Sequence, residues 1–356
     1  MISLIALLVV LLSGLAAGLA NDGVSGLRAM PATSFAFSKG TITDNAFSRS
    51  QTDAQQLAAW REAPGVSHSE PLGVTPAHGT IAGGGQADLT LFGVDPSGFL
   101  SPAVSSGDRL STPGGIVVSE TAKAKGFELG TKITLDRTGV ELTVVGFTKG
   151  QATFGHVNVA YLPLDTWRLI ASGAAGAPAP TDPSAYPYAS AIAVQATAGS
   201  RPDLAAIDEH AGTLSMTKSQ AFNASPGYQP ETLTLTLIQV FLYAISALVV
   251  GAFFTVWTIQ RKHEIAVLRA IGASAGYLLR DGIAQAAILL GAFTAAGAGL
   301  AVVLGALMPS AAPFSFEPAP IALAMVLTIG LGLAGAAIAV LRITRVDPIT
   351  ALGGNR

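Results

Sequence analysis

Four long apolar runs, at residues 2–20, 235–259, 283–308 and 320–341, constrain this chain more than any other feature. Each is longer than the roughly 18 residues that cross a hydrocarbon core as a helix. Lipid offers no partner for exposed backbone N–H and C=O groups, so such runs are expected as helices with their hydrogen bonds closed internally. Charged residues make up only 12% of the chain, against about 25% in soluble domains, and 40 glycines suit close helix packing in lipid. The first run has one alternative reading, a cleaved signal peptide ending at Gly18-Leu19-Ala20. No Lys or Arg precedes it, and a retained helix is the reading taken here. The missing basic flank suggests a natural start further upstream.

Basic residues orient the spans. Arg261, Lys262, Arg269 and Arg280 lie between the second and third runs, and Arg342, Arg345 and Arg356 follow the fourth. By the positive-inside rule these stretches face the cytoplasm. The expected layout is a transmembrane helix at 1–20, an extracytoplasmic α/β domain at 21–232, and a second span at 233–260. A cytoplasmic loop at 261–281 follows, then a third span at 282–308, a short external loop at 309–319, a fourth span at 320–341 and a cytoplasmic tail at 342–356.

The 21–232 segment is long enough to hold a core of its own. Strands are expected at 89–94, 115–118 and 189–196, and a hairpin joins 132–135 to 140–145 around Asp136-Arg137-Thr138-Gly139. Helices are expected at 51–61, with Leu57 and Trp60 inward, at 120–125 behind a Ser119 cap, and at 201–210 with Pro202 in the first turn. Residues 171–187, rich in Ala, Gly and Pro, read as an exposed loop.

Several chemistries are excluded or unsupported. There is no cysteine, so thiolate and disulfide chemistry is absent. The five histidines lack metal-site spacing, and no catalytic constellation stands out. No phosphate-binding G-x-x-x-x-G-K-[ST] loop occurs, so the chain has no such ATPase site of its own. A net charge of -2 gives no reason to expect nucleic acid as a partner.

The segment 261–274, RKHEIAVLRAIGAS, is a charged amphipathic rod between two spans. Ile265, Val267, Leu268 and Ile271 can face lipid or the bundle, and Arg261, Lys262, Glu264 and Arg269 the cytosol or a partner. Gly272 ends the rod and Ser274 can cap the next helix. An interfacial loop with ordinary topogenic charges remains the alternative reading.

These residues closely resemble the signature of FtsX-like, MacB-type ABC transporter permeases, and Arg345-Val346-Asp347-Pro348 through Leu352 resembles that family's ending. The resemblance covers the whole chain. It implies a homodimer in the bacterial plasma membrane, in contact with lipid and carrying a separate ABC ATPase subunit that binds the ATP; no cofactor is implied for this chain. Arg261, Lys262, Glu264 and Arg269 would couple it to that ATPase. Phe92-Gly93-Val94-Asp95-Pro96 and residues 154–167 also resemble the haem-exporting, HrtB-type branch. Haem is then a possible substrate, with Asp22, Arg28 and Met30 where the first span ends as the groups to hold it, since carboxylate and thioether groups ligate iron and Arg pairs with propionates. The alternative is that they are ordinary interfacial residues leaving a membrane helix, with Met30 a plain hydrophobe. Antibiotic, peptide or lipid export, and a mechanotransmitting scaffold that activates a cell-wall hydrolase, are the other functions open to this family.

Overall fold

The computed structural model describes residues 1–173, 188–308, 314–315 and 318–344. The expected external loop at 309–319, most of the 171–187 loop and the tail motif at 345–352 therefore fall largely outside the described residues. Ten α-helices are described: α1 (Ile2–Ala29), α2 (Ala46–Arg49), α3 (Ala54–Glu62), α4 (Leu164–Ala171), α5 (Leu204–Ala211), α6 (Lys218–Ala221), α7 (Tyr228–Gln260), α8 (Lys262–Ala270), α9 (Ala275–Ala306) and α10 (Pro318–Thr344). The strands are β1 (Ser34–Ser38), β2 (Val66–Ile81), β3 (Gln86–Val94), β4 (Val104–Gly107), β5 (Gly115–Val118), β6 (Lys132–Leu135), β7 (Glu141–Thr148), β8 (Thr153–Phe154), β9 (Val157–Pro163), β10 (Ala191–Ala196) and β11 (Thr213–Thr217). The chain divides into a helical unit, 1–19 with 232–356, and an α/β unit, 20–231.

In the helical unit, α1, α7, α9 and α10 are each long and apolar enough to cross a membrane. Small residues set their spacing. Gly251 of α7 and Gly335 of α10 meet backbone to backbone, and Gly297 of α9 leaves room for the backbone of α1 at Ser3. Val250, Phe254, Leu290 and Ala336 fill the centre of the bundle.

The α/β unit is built on one path of strands, β11-β1-β10-β2-β3-β9-β5-β7-β4, with β6 pairing both β2 and β7. The pairs β2–β3, β3–β9, β9–β5, β5–β7, β7–β6 and β6–β2 close a ring, so six strands form a small barrel. The side-chain period of two points Leu89 and Leu91, Ile116 and Val118, Ile133 and Leu135, and Leu142 and Val144 into it. The alternate residues, among them Phe92, Val117, Val159 and Tyr161, face a second core shared with Phe35, Phe37, Phe47 and the end of α1.

Several local expectations change. Asp53 caps α3 with a full capping box, and Asp203 caps α5, so Pro202 precedes that helix instead of opening it. Residues 120–125 form a 3₁₀ turn, and the Ser119 hydroxyl contacts Thr121 and Ala152 in place of a cap. The α1 helix runs on to Ala29, past the expected end at 20, and α9 starts at Ala275, so Arg280 and Asp281 are helical and not part of a loop.

Strand β2 has no counterpart in the sequence reading, because Pro71, Gly73, Pro76 and Gly79 read as breakers. Its 66–72 half pairs with β10 and its 73–78 stretch with β3, leaving one flank of each free of a strand, which proline tolerates.

Candidate functional site

Two clusters of polar side chains stand out among the described residues. The first is on α8. Arg261 sits between α7 and α8 and donates from Nε to Glu264 Oε2 at 2.9 Å. Its Nη1 donates to Gln285 Oε1 of α9, and Gln285 Nε2 donates to Asp281 Oδ2 at 2.8 Å. The sequence allows this because Glu264 falls in the first turn and Arg269 in the last, where the helix dipole favours each sign. The result is a polar chain fastening α8 to α9 along a cleft lined by Phe254, Trp257, Leu268 and Val340. Gly272, at φ 105°, ends the segment, and the Ser274 hydroxyl accepts from the Tyr277 N–H at 3.1 Å to start α9.

The expected faces of this rod need correction. Ala266 is the buried residue, at 7%, while Val267, Leu268 and Ile271 are 41%, 40% and 79% exposed. Val267 and Ile271 therefore stand beside the exposed Glu264, while Leu268 and the half-buried Ile265 line the cleft with Phe254 and Val340. Arg269 is half-buried, and the side chain of Lys262 lies outside the described residues.

The second cluster contains Asp22. With α1 continuing to Ala29, Asp22 is a helical residue and not the last polar group of a span. It accepts from Gln151 Nε2 at 2.6 Å and contacts His156 Nδ1 at 3.0 Å. His156 Nε2 lies 2.8 Å from Glu231 Oε2, in the first turn of α7. Gly155 and His156 form the turn between β8 and β9 at φ 57° and 64°, and this left-handed backbone aims the imidazole between the two carboxylates. Ser25 with Thr153 at 2.6 Å, and Gly155 N–H to Gly23 O at 2.9 Å, fix α1 against the same turn.

Burial lowers the affinity of His156 for a proton, but the hydrogen bonds and charges of Asp22 and Glu231 outweigh it and raise its pKa above 6.5. The imidazole uses its two nitrogens in opposite directions, so Asp22 and Glu231 do not converge as metal ligands.

Asp22, Arg28 and Met30 are not one site. Arg28 is exposed and stands over the Phe222 ring at 5.8 Å. Met30 is 2% exposed inside the apolar core with Leu27 and Phe35, so its thioether has no open face for a ligand; packing, not binding, holds it there. His156 and Glu231 escape the sequence reading because they lie 134 and 209 residues from Asp22. The only signal available was the Gly155-His156 pair between two short strands, which marks a turn and not a charge partner.

Comparison with known proteins covers both units of the chain. The profile described as MacB-like periplasmic core domain matches residues 2–209, and the FtsX-like permease C-terminal profile matches residues 236–348. A Staphylococcus epidermidis protein named as a hemin transport system permease, HrtB, is 24% identical over 360 residues, covering 100% of this chain and 94% of its own. The protein of that name from Staphylococcus haemolyticus is 22% identical, covering 99% and 93%. An uncharacterized ABC transporter permease of Mycobacterium bovis is 26% identical over 309 residues, covering 85% and 79%. Among solved structures, the periplasmic region of MacB from Actinobacillus actinomycetemcomitans matches at a TM-score of 0.39 and 14% identity, covering 54% of this chain and 92% of that one.

Proposed function

We propose, from the premise that this chain belongs to the FtsX-like family of ABC transporter permeases with a MacB-like periplasmic core domain, that it couples a separate ATPase to export of an amphipathic compound, haem first among the candidates. It is a multi-pass membrane protein with its α/β domain outside the cytoplasm. The observation that carries the coupling half of the proposal is the surface of α8. Glu264, Val267, Leu268 and Ile271 are exposed side by side, on a rod fixed to α9 through Arg261 and Gln285. A rod tied in this way transmits force to a membrane helix, whereas a loose loop would absorb it. Arg261, Lys262, Glu264 and Arg269 are the residues assigned to the ATPase contact, ATP is bound by that subunit, and the permease works as a homodimer in lipid.

The haem half rests on the name carried by the staphylococcal relatives and on the chemistry available. Arg28 offers a guanidinium beside an aromatic face, which suits a flat macrocycle with propionates, whereas both oxygens of Asp22 are taken up by Gln151 and His156. Met30 is left out of this assignment. The test is co-purification with the ATPase encoded nearest the chain, followed by haem titration in nanodiscs. A saturable Soret change that weakens several-fold in Arg28→Ala is expected. Saturation unchanged by the substitution would remove Arg28 from the site, and no haem-dependent change at all would leave export of another amphipathic compound.

A further inference from the structure

The α/β unit is connected to the rest of the chain by two covalent leads, one in α1 and one at the start of α7. One imidazole bridges them inside the α/β unit: Asp22 belongs to the first lead, Glu231 to the second, and His156 lies between at 3.0 and 2.8 Å. We propose that His156 is a proton-operated clasp, holding the two leads together as an imidazolium and releasing the first turn of α7 when it loses its proton.

The argument is a count of donors. An imidazolium donates from both nitrogens and satisfies both carboxylates, whereas a neutral imidazole has one N–H and must turn a lone pair toward the other carboxylate. The ionised cluster goes from a net charge of -1 to -2 on deprotonation, with two carboxylates facing one ring. The remaining titratable neighbour is Tyr228 of α7, whose ring shares the space beside Gly23 with that of His156; Arg28 acts on Tyr228 and Lys218. Asp22 keeps a second donor in Gln151, and α1 keeps its Ser25–Thr153 bond and the buried Val24 and Leu27. For the Glu231 carboxylate, the side-chain contact described is the one to His156. Loss of the proton therefore releases the Glu231 side chain in the first turn of α7, while the lead before it keeps the Ser225 hydroxyl bond to Gly23 O at 2.9 Å and the Phe222–Tyr228 ring contact, and α1 stays in place. The hydrogen bonds and charges of Asp22 and Glu231 hold the His156 midpoint above that of an unperturbed histidine, the side chain whose charge changes most readily in the physiological range.

The experiment uses the full chain in nanodiscs and involves neither substrate nor ATPase, so its failure is distinct from failure of the transport proposal. These 356 residues contain no cysteine, so Ala29→Cys and Gln229→Cys, both at exposed positions, carry a spin-label pair without background from them. Distance distributions and histidine NMR titrations are recorded from about pH 5 to about pH 9, a range spanning the ordinary histidine midpoint. The expected result is a His156 midpoint above 6.5 and a distance distribution that broadens as the pH rises through it. His156→Gln should give the broad distribution at every pH. If that variant does not fold, Glu231→Gln serves instead: the His156 midpoint should fall and the pH dependence of the distance should vanish. A distribution indifferent to pH, or a midpoint unmoved by Glu231→Gln, overturns the clasp.

Discussion

Arg261 and Glu264 form a 2.9 Å ion pair across one turn at the start of α8, and Arg261 also reaches Gln285 on α9. The pair is exposed on the Glu264 side, where solvent screens it, so its direct contribution to stability is below about 1 kcal/mol. The pair orients the Arg261 guanidinium, whose Nη1 makes the link to α9 through Gln285, and under the proposed coupling role that link is what carries force. Glu264→Gln should therefore leave thermal stability within about 0.5 kcal/mol of the wild type while lowering transport per ATP hydrolysed. Proteoliposomes with the ATPase subunit, assayed for both rates, check this. Equal losses in both rates, or none in either, would remove the coupling role.

The pH dependence of stability has a definite sign. The folded-state pKa of His156 is raised above the unfolded value of 6.5, so protonation is tighter in the folded chain. Its stabilising contribution is then fully present below 6.5 and is lost as pH rises through the higher folded midpoint. Denaturant titrations on either side of that window should show a stability difference in the wild type that His156→Gln lacks. A wild type that gains stability relative to the variant as pH rises would contradict the assignment.

The parts of this fold that can be read from sequence are those governed by local periodicity. The spans, the strands at 89–94 and 115–118, the 132–145 hairpin and the Gly272 and Ser274 ends of the 261–274 segment follow from runs, alternation and caps. Strand β2 was illegible because its two glycines are read locally as breaks. At Gly73 the reason for glycine is Trp167, 94 residues away, whose ring occupies the space of a side chain. The His156 cluster fails in the same way, since Asp22, His156 and Glu231 meet where the end of α1 and the start of α7 reach the β8–β9 turn, and not through sequence spacing. The rod's charged residues were legible, but which apolar residues it exposes was not. That depends on how α8 meets α9, and Ala266 proves to be the inward position.

The Trp167 relationship gives a stability test. A Cβ on Gly73 or on Gly93 would overlap Trp167, and that residue is 2% exposed in the barrel core with little room to move. Gly73→Ala should destabilise the α/β unit by about 1–3 kcal/mol through overpacking, and Trp167→Ala by about 3–5 kcal/mol through the cavity it leaves. Urea unfolding followed by far-ultraviolet circular dichroism measures both. A neutral Gly73→Ala would mean that the indole can shift, and the barrel would be less tightly packed than the geometry implies.

In the helical unit, the corresponding close approach is Gly251 to Gly335. A Cβ on Gly335 would lie 3.0 Å from the Gly251 Cα and 3.5 Å from the Ala247 carbonyl, both backbone atoms that cannot rotate away. In lipid, where apolar tails compete equally for any greasy face, such backbone contact is a principal source of helix association. Gly335→Val should push α10 off α7, while Gly330→Ala, on the same helix with open space around its Cβ position, should be tolerated. The two variants are compared by thermal aggregation in detergent and by protease resistance of the α/β unit, which lies outside this contact. The expected pattern is a lower aggregation temperature for Gly335→Val alone, with an unchanged proteolytic fragment spanning the α/β unit, 20–231. If Gly335→Val aggregates no earlier than Gly330→Ala, the α7–α10 contact is not what holds the bundle together.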